Sequence, residues 1–149
     1  MGALVGVAAQ ERITVWDGVY TEAQAERGRV AYAQSCASCH ADDLRGRSTA
    51  PSLVEESFAF LWDDMSIGDL FERTRTRMPS DRPGSLPGAT YADIVAFIAQ
   101  KNGYPAGATE LPVDLEVLKG IRITAKRRRR LRPRGTRAIK HCSSEADPR

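Results

Sequence analysis

Cys36-Ala37-Ser38-Cys39-His40 sets two thiols three positions apart with an imidazole directly after the second. This C-x-x-C-H pattern reads as a covalent attachment site for a c-type haem. Thiols at that offset match the two vinyl groups of the porphyrin, across which they add as thioethers. The adjacent histidine then lies beneath the ring and offers a nitrogen to the iron. Two other chemistries use a C-x-x-C pair. A redox disulfide expects a βαβ setting, and the sequence has no sign of one. Tetrahedral zinc needs two further ligands. The remaining residues of that kind are His141 and Cys142, far downstream in a strongly charged segment. Haem is the reading that uses all five residues.

Haem iron has two axial positions, and a protein that only carries electrons fills the second from its own chain. Met65 and Met78 are the internal methionines. Met78 stands just past a helical pattern and before Pro79, in a loop that also holds Pro83 and Pro87. Proline fixes its own φ and pushes the preceding residue out of the α region, so Met78 is expected to be extended with its thioether turned inward. The competing reading is a methionine that fills a gap in the core. Met65 follows Trp62-Asp63-Asp64 in an acidic segment that should be exposed. Met78 is therefore the expected distal ligand.

Three helices are legible. Thr21 should cap the first, with Gln24 completing a capping box, and Ala25, Gly28, Ala31 and Tyr32 keep helical spacing as it runs into Cys36. Ser66 and Asp69 open the second, whose apolar face is Ile67, Leu70 and Phe71 and which stops near Arg77. Thr90 and Asp93 are expected to open the third, which buries Ile94, Phe97 and Ile98 and ends before Gly103. Residues 41–62 and 79–89 read as loops on the two sides of the haem. Ile13-Thr14-Val15-Trp16 alternates like a short strand without an evident partner.

From about Val15 to about Pro112 the chain resembles the monohaem class I cytochromes c of the bacterial periplasm. Gly28-x-x-x-Tyr32 is similar to the glycine/aromatic pair of the first helix in that family, and Ile94 with Phe97 to the answering pair of its last helix. The resemblance implies an all-α fold of three main helices wrapped around one covalently attached haem. It also implies that the Pro51 carbonyl, in Ala50-Pro51-Ser52-Leu53, accepts the Nδ1 hydrogen of His40, which would fix its tautomer and raise its basicity. Met78-Pro79 resembles the distal methionine motif. The nearest subgroup travels with dehydrogenases, and the electrons of this family leave by the haem edge on the Cys36/Cys39 side. Trp62 is either a donor to a propionate or plain core.

The charge is divided along the chain. Residues 1–118 hold 10 Lys+Arg and 17 Asp+Glu, a net of −7, whereas 119–149 hold 12 and 2, a net of +10, and together they give the formal +3. The expected organisation is an N-terminal segment 1–14, a cytochrome c domain 15–118 and a basic, disordered tail 119–149. The apolar, small-residue stretch Met1–Ala9 resembles the end of a shortened secretory signal, and haem attachment of this type takes place outside the bacterial cytoplasm, so an exported, periplasmic protein is expected. No run approaches the ~20 apolar residues of a membrane span. The tail has three readings: a solvated extension or misread gene end, attraction to an anionic membrane surface or acidic partner, and nucleic-acid binding, which lacks aromatic residues for stacking. Cys142 is an odd thiol to which no function is assigned.

Iron capped by His40 and Met78 has no vacant position, so the chain is expected to carry one electron between a dehydrogenase and a terminal acceptor rather than to act as an enzyme. A thioether ligand raises the reduction potential. The alternatives are a haem enzyme or gas sensor, if Met78 dissociates readily, and a tail-driven module for anionic partners.

Overall fold

The computed structural model describes residues 12–125. Six helices follow one another: α1 Glu22–Ser35, α2 Ala37–His40, α3 Glu55–Trp62, α4 Ile67–Arg77, α5 Gly88–Lys101 and α6 Leu115–Lys119. Among the described residues extended backbone pairs only as isolated bridges, and the fold is all-α.

The principal packing is α1 across α5. Gly28 makes it close, because a Cβ there would fall on the Asp93 carbonyl oxygen and 2.9 Å from the Phe97 Cβ. Tyr32 and Phe97, a turn further along, meet with ring centroids 5.4 Å apart. Arg27 forks to Asp93 and Glu110 at the rim of the crossing. Gly28, Tyr32 and Phe97 are among the residues that the family likeness singled out, and the bare glycine explains why the two helices can touch.

Caps decide where the helices start. Ser66 and Asp69 form the full reciprocal box on α4: the Ser66 hydroxyl accepts from the Asp69 amide at 3.0 Å, and the Asp69 carboxylate accepts from the Ser66 amide at 2.9 Å. Thr21 caps α1 by accepting from the Gln24 amide at 3.1 Å, but the expected return bond is not made. The Gln24 side chain is instead buried and clamps the backbone of Leu111, donating to its carbonyl at 3.0 Å and accepting from its amide at 2.8 Å. A buried amide side chain needs both partners, and the strap 104–112 supplies them. Helix α5 starts at Gly88 behind Pro87 rather than at Thr90, since proline is well suited to a helix start. Asp93 is thereby released from capping to pair with Arg27.

Three further expectations need correction. The stretch 41–62 is not a plain loop: its second half forms α3, which buries Phe58 and Trp62. Ile13–Trp16 is no strand but a 3-10 turn, Val15–Asp17, capped by Thr14. The domain also extends beyond 15–118 at both ends. Ile121 and Ile123 are buried, the Val15 amide donates to the Arg122 carbonyl, and the Arg122 amide donates to the Ile13 carbonyl, both at 2.9 Å. The Ile67 and Asp64 amides bond the carbonyls of Ile121 and Ile123. Lys119–Ala125 therefore belongs to the fold, as a clasp that joins both ends to the start of α4. Its apolar residues alternate over too short a span to stand out beside the cations that follow. Residues 1–11 and 126–149, with the expected signal remnant, basic tail and Cys142, lie outside the described residues.

Candidate cofactor site

Cys36 ends α1, its amide donating to the Tyr32 carbonyl at 2.8 Å, and also begins α2, its carbonyl accepting from the amides of Cys39 and His40 at 3.2 and 2.9 Å. One tight turn thus carries both thiols and the imidazole. Cys36 is half-buried and Cys39 exposed, and both thiols are free. Burial, with the neighbouring Cys39 adding to it, pushes the Cys36 thiol up to about 11.

His40 is buried. Its Nδ1 lies 2.9 Å from the Pro51 carbonyl oxygen, and that carbonyl is its one ring hydrogen-bond partner among the described residues. Because a carbonyl only accepts, Nδ1 carries the proton, and in the neutral ring Nε2 is the nitrogen left with the lone pair. The loop that brings Pro51 there is held at several points. The Tyr32 hydroxyl donates to the Ala41 carbonyl at 2.8 Å, the Gly46 amide to the His40 carbonyl at 2.9 Å, and the Leu53 amide to the Leu44 carbonyl at 2.7 Å. Ala41 and Leu44 both sit at positive φ, 62° and 64°, a region uncommon for side-chain-bearing residues. The hydrogen bonds around them hold the loop in that shape.

Met78 is the C-cap of α4 and is extended, at φ −126° and ψ 150°. Its amide closes the helix on the Thr74 carbonyl at 2.9 Å. The Tyr91 hydroxyl donates to the Met78 carbonyl at 2.7 Å and accepts from the Leu86 amide at 3.4 Å. One buried phenol in the first turn of α5 thus ties both ends of the proline-rich loop. Sequence reasoning missed Tyr91 because it falls on a helix face that reads as ordinary core. Met65 is exposed, as its acidic setting implies. Trp62 packs with Phe58 in the core, ring centroids 6.4 Å apart.

A c-type haem fits this donor set: two thiols on one turn, an imidazole with one nitrogen anchored and the other free, and a thioether held by a separate loop. Among the described residues no three or more His, Cys, Asp and Glu side chains gather as for a metal ion.

A family model described as cytochrome c oxidase, cbb3-type, subunit III matches residues 23–98, which include the C-x-x-C-H turn and the Met78 loop. No curated protein sequence matches the chain. Among solved structures, the crystal structure of the sulfane dehydrogenase SoxCD from Paracoccus pantotrophus is similar at 19% identity and a TM-score of 0.49, over 80% of this chain and 68% of that one. With half of its length matched by that model, the chain belongs to this family of class I c-type cytochrome domains, which bind one covalently attached haem c and transfer electrons.

Proposed function

We propose that Cys36 and Cys39 hold the haem as thioethers, that His40 Nε2 and the Met78 thioether are its axial ligands, and that the protein is an exported, periplasmic one-electron carrier. On this reading a dehydrogenase supplies the electron and a terminal acceptor takes it. The observation that carries the reading is the fixed ring of His40: a proton held on Nδ1 by Pro51 leaves Nε2 as a ligand beside the two attachment thiols. When bound, the haem supplies one-electron chemistry at iron. Cys36, Cys39, His40 and Met78 would hold it. Pro51 raises the basicity of His40 by drawing on its Nδ1 proton. Tyr91 holds Met78 in place, so water and small ligands are kept off the distal side. Residues 13–125 form the cytochrome unit. The basic run from Lys126 adds an electrostatic contact with an anionic surface.

Met78→Ala tests the ligand set. It should abolish the weak near-infrared band of ferric methionine-ligated haem, lower the potential and admit CO to the reduced protein, whereas Met65→Leu should change none of these. A wild-type protein that already takes up CO readily would make the chain an enzyme or sensor instead.

A further inference from the structure

We propose that Asn102, at the C-terminal end of α5, is a positioning residue that sets the strength of His40 as a ligand by holding the strap that carries Pro51. The proposal rests on the ligand role given to His40 above. His40 Nδ1 meets the Pro51 carbonyl at 2.9 Å, and a carbonyl keeps such a bond only while its own peptide stays aimed. Pro51 and Glu55, at the two ends of the strap, are exposed, and Ser52 and Leu53 are half-buried. Burial within the chain therefore does little to fix the strap. Its hydrogen bonds have to.

Those bonds come from two sides. On one side the Leu53 amide donates to the Leu44 carbonyl at 2.7 Å, and the Ser52 hydroxyl accepts from the Val54 amide at 3.3 Å. On the other stands the half-buried Asn102. Its Nδ2 donates to the carbonyls of Leu53 and Ile98, both at 2.9 Å, and its Oδ1 accepts from the Glu55 amide at 3.1 Å. Two acceptors and one donor around the side chain fix which end is nitrogen. The Leu53 carbonyl is two peptide units from that of Pro51, so the grip lies next to the group it steadies.

Glu55 shows what the grip holds. It opens α3 at φ 61°, a conformation that side-chain-bearing residues keep only when their surroundings enforce it. Val54 before it offers no capping side chain. Asn102 Oδ1 supplies the missing acceptor from the end of a different helix. The position calls for a donor and an acceptor on one short side chain, which an amide has and a carboxylate or an alkyl group lacks. The consequence for His40 follows from its second nitrogen. A well-made bond from Nδ1 enriches the ring in electrons and strengthens it as a ligand, and stronger donation favours ferric over ferrous iron. Loosening the strap should therefore raise the reduction potential.

The test uses the full-length holoprotein in the reduced state, with exchange of the His40 Nδ1 proton into D2O followed by NMR and the potential read by redox titration. Asn102→Ala should speed that exchange about fivefold, the scale of one net hydrogen bond, and raise the potential. Asn102→Asp keeps an oxygen for the Glu55 amide and loses only the donor, so it should speed exchange likewise. It carries the test if Asn102→Ala fails to fold, and its added charge confines the reading there to exchange. Thr21→Ala, which removes the cap of α1, should lower the melting temperature and leave exchange and potential as they are. Exchange within about twofold of wild type in a folded Asn102 variant, less than one hydrogen bond, would overturn the proposal. So would faster exchange with a potential that is unmoved or lower in Asn102→Ala, or equal changes in Thr21→Ala, which would reduce the effect to lost stability. A wild-type His40 ring proton that exchanges without protection would instead overturn the bond to Pro51 as a working part of the ligand, and the proposal with it.

Discussion

Tyr91→Phe keeps the buried ring of Tyr91 and removes one oxygen atom, together with the bonds to the Met78 carbonyl and the Leu86 amide. A carbonyl that loses a buried partner costs about 1–3 kcal/mol. Met78 is only half-buried, so water can partly replace the phenol and the lower part of that range applies, about 1–2 kcal/mol. The bonded loop bears this cost, and the loop escapes it by swinging outward and releasing the thioether. The equilibrium between bound and released Met78 should therefore move about five- to thirtyfold toward release. Imidazole competes with Met78 for the iron, so its apparent affinity reads the population of the released form. Titration of the ferric protein, followed by loss of the near-infrared band, should show imidazole binding tighter by the same factor. The Tyr91→Phe protein must remain folded by circular dichroism for the comparison to hold. An imidazole affinity within twofold of wild type in a folded variant would refute the claim that Tyr91 holds the distal loop.

Gly28→Ala should push α1 off α5, since its Cβ has no room beside Asp93 and Phe97. Overpacking of this kind costs about 1–3 kcal/mol, so the unfolding midpoint should fall by about 5–15 °C. The Asp69 carboxyl is held below its ordinary pKa by hydrogen bonds from the Ser66 side chain and backbone. A lowered folded-state pKa stabilises above the unfolded value, near pH 4, and is lost as pH falls through the folded one. Ser66→Ala should thus cost about 1 kcal/mol near neutral pH, and less in acid, as urea titrations at several pH values would show. Truncation after Ala125 should leave the haem spectrum and melting temperature unchanged, whereas truncation before Lys119 removes the buried Ile121 and Ile123 and should abolish cooperative unfolding.

The turn that carries both thiols and the imidazole was legible because it is local: five consecutive residues form it. Helices α1, α4 and α5 were legible from spacing and from Thr21 and Ser66. Helix α3 escaped because Val54 offers no capping side chain and exposed Phe60 and Leu61 blur its apolar stripe. Gln24 and Tyr91 were missed in role rather than in place. Gln24 bonds the backbone of Leu111, 87 residues away, and Tyr91 bonds the backbone of a loop outside its own helix; no periodicity encodes either. The Lys119 boundary failed for the same reason, because Ile121 and Ile123 are buried through pairing with Ile13–Val15 and the Asp64–Ile67 stretch.

The clasp bears on the order of assembly as well as on the boundary. Bonds between residues 13–15 and 121–123 span nearly the whole domain, and contacts this distant in sequence are the slow ones to form. A chain delivered from its N-terminus exposes the Cys36–His40 turn long before residue 123 is available. Covalent loading of that turn can therefore precede closure, with the last residues of the domain acting as a latch over a module already carrying its cargo. The latch also brings the two ends of the described domain side by side, the geometry that lets a module be spliced into a larger polypeptide without distortion.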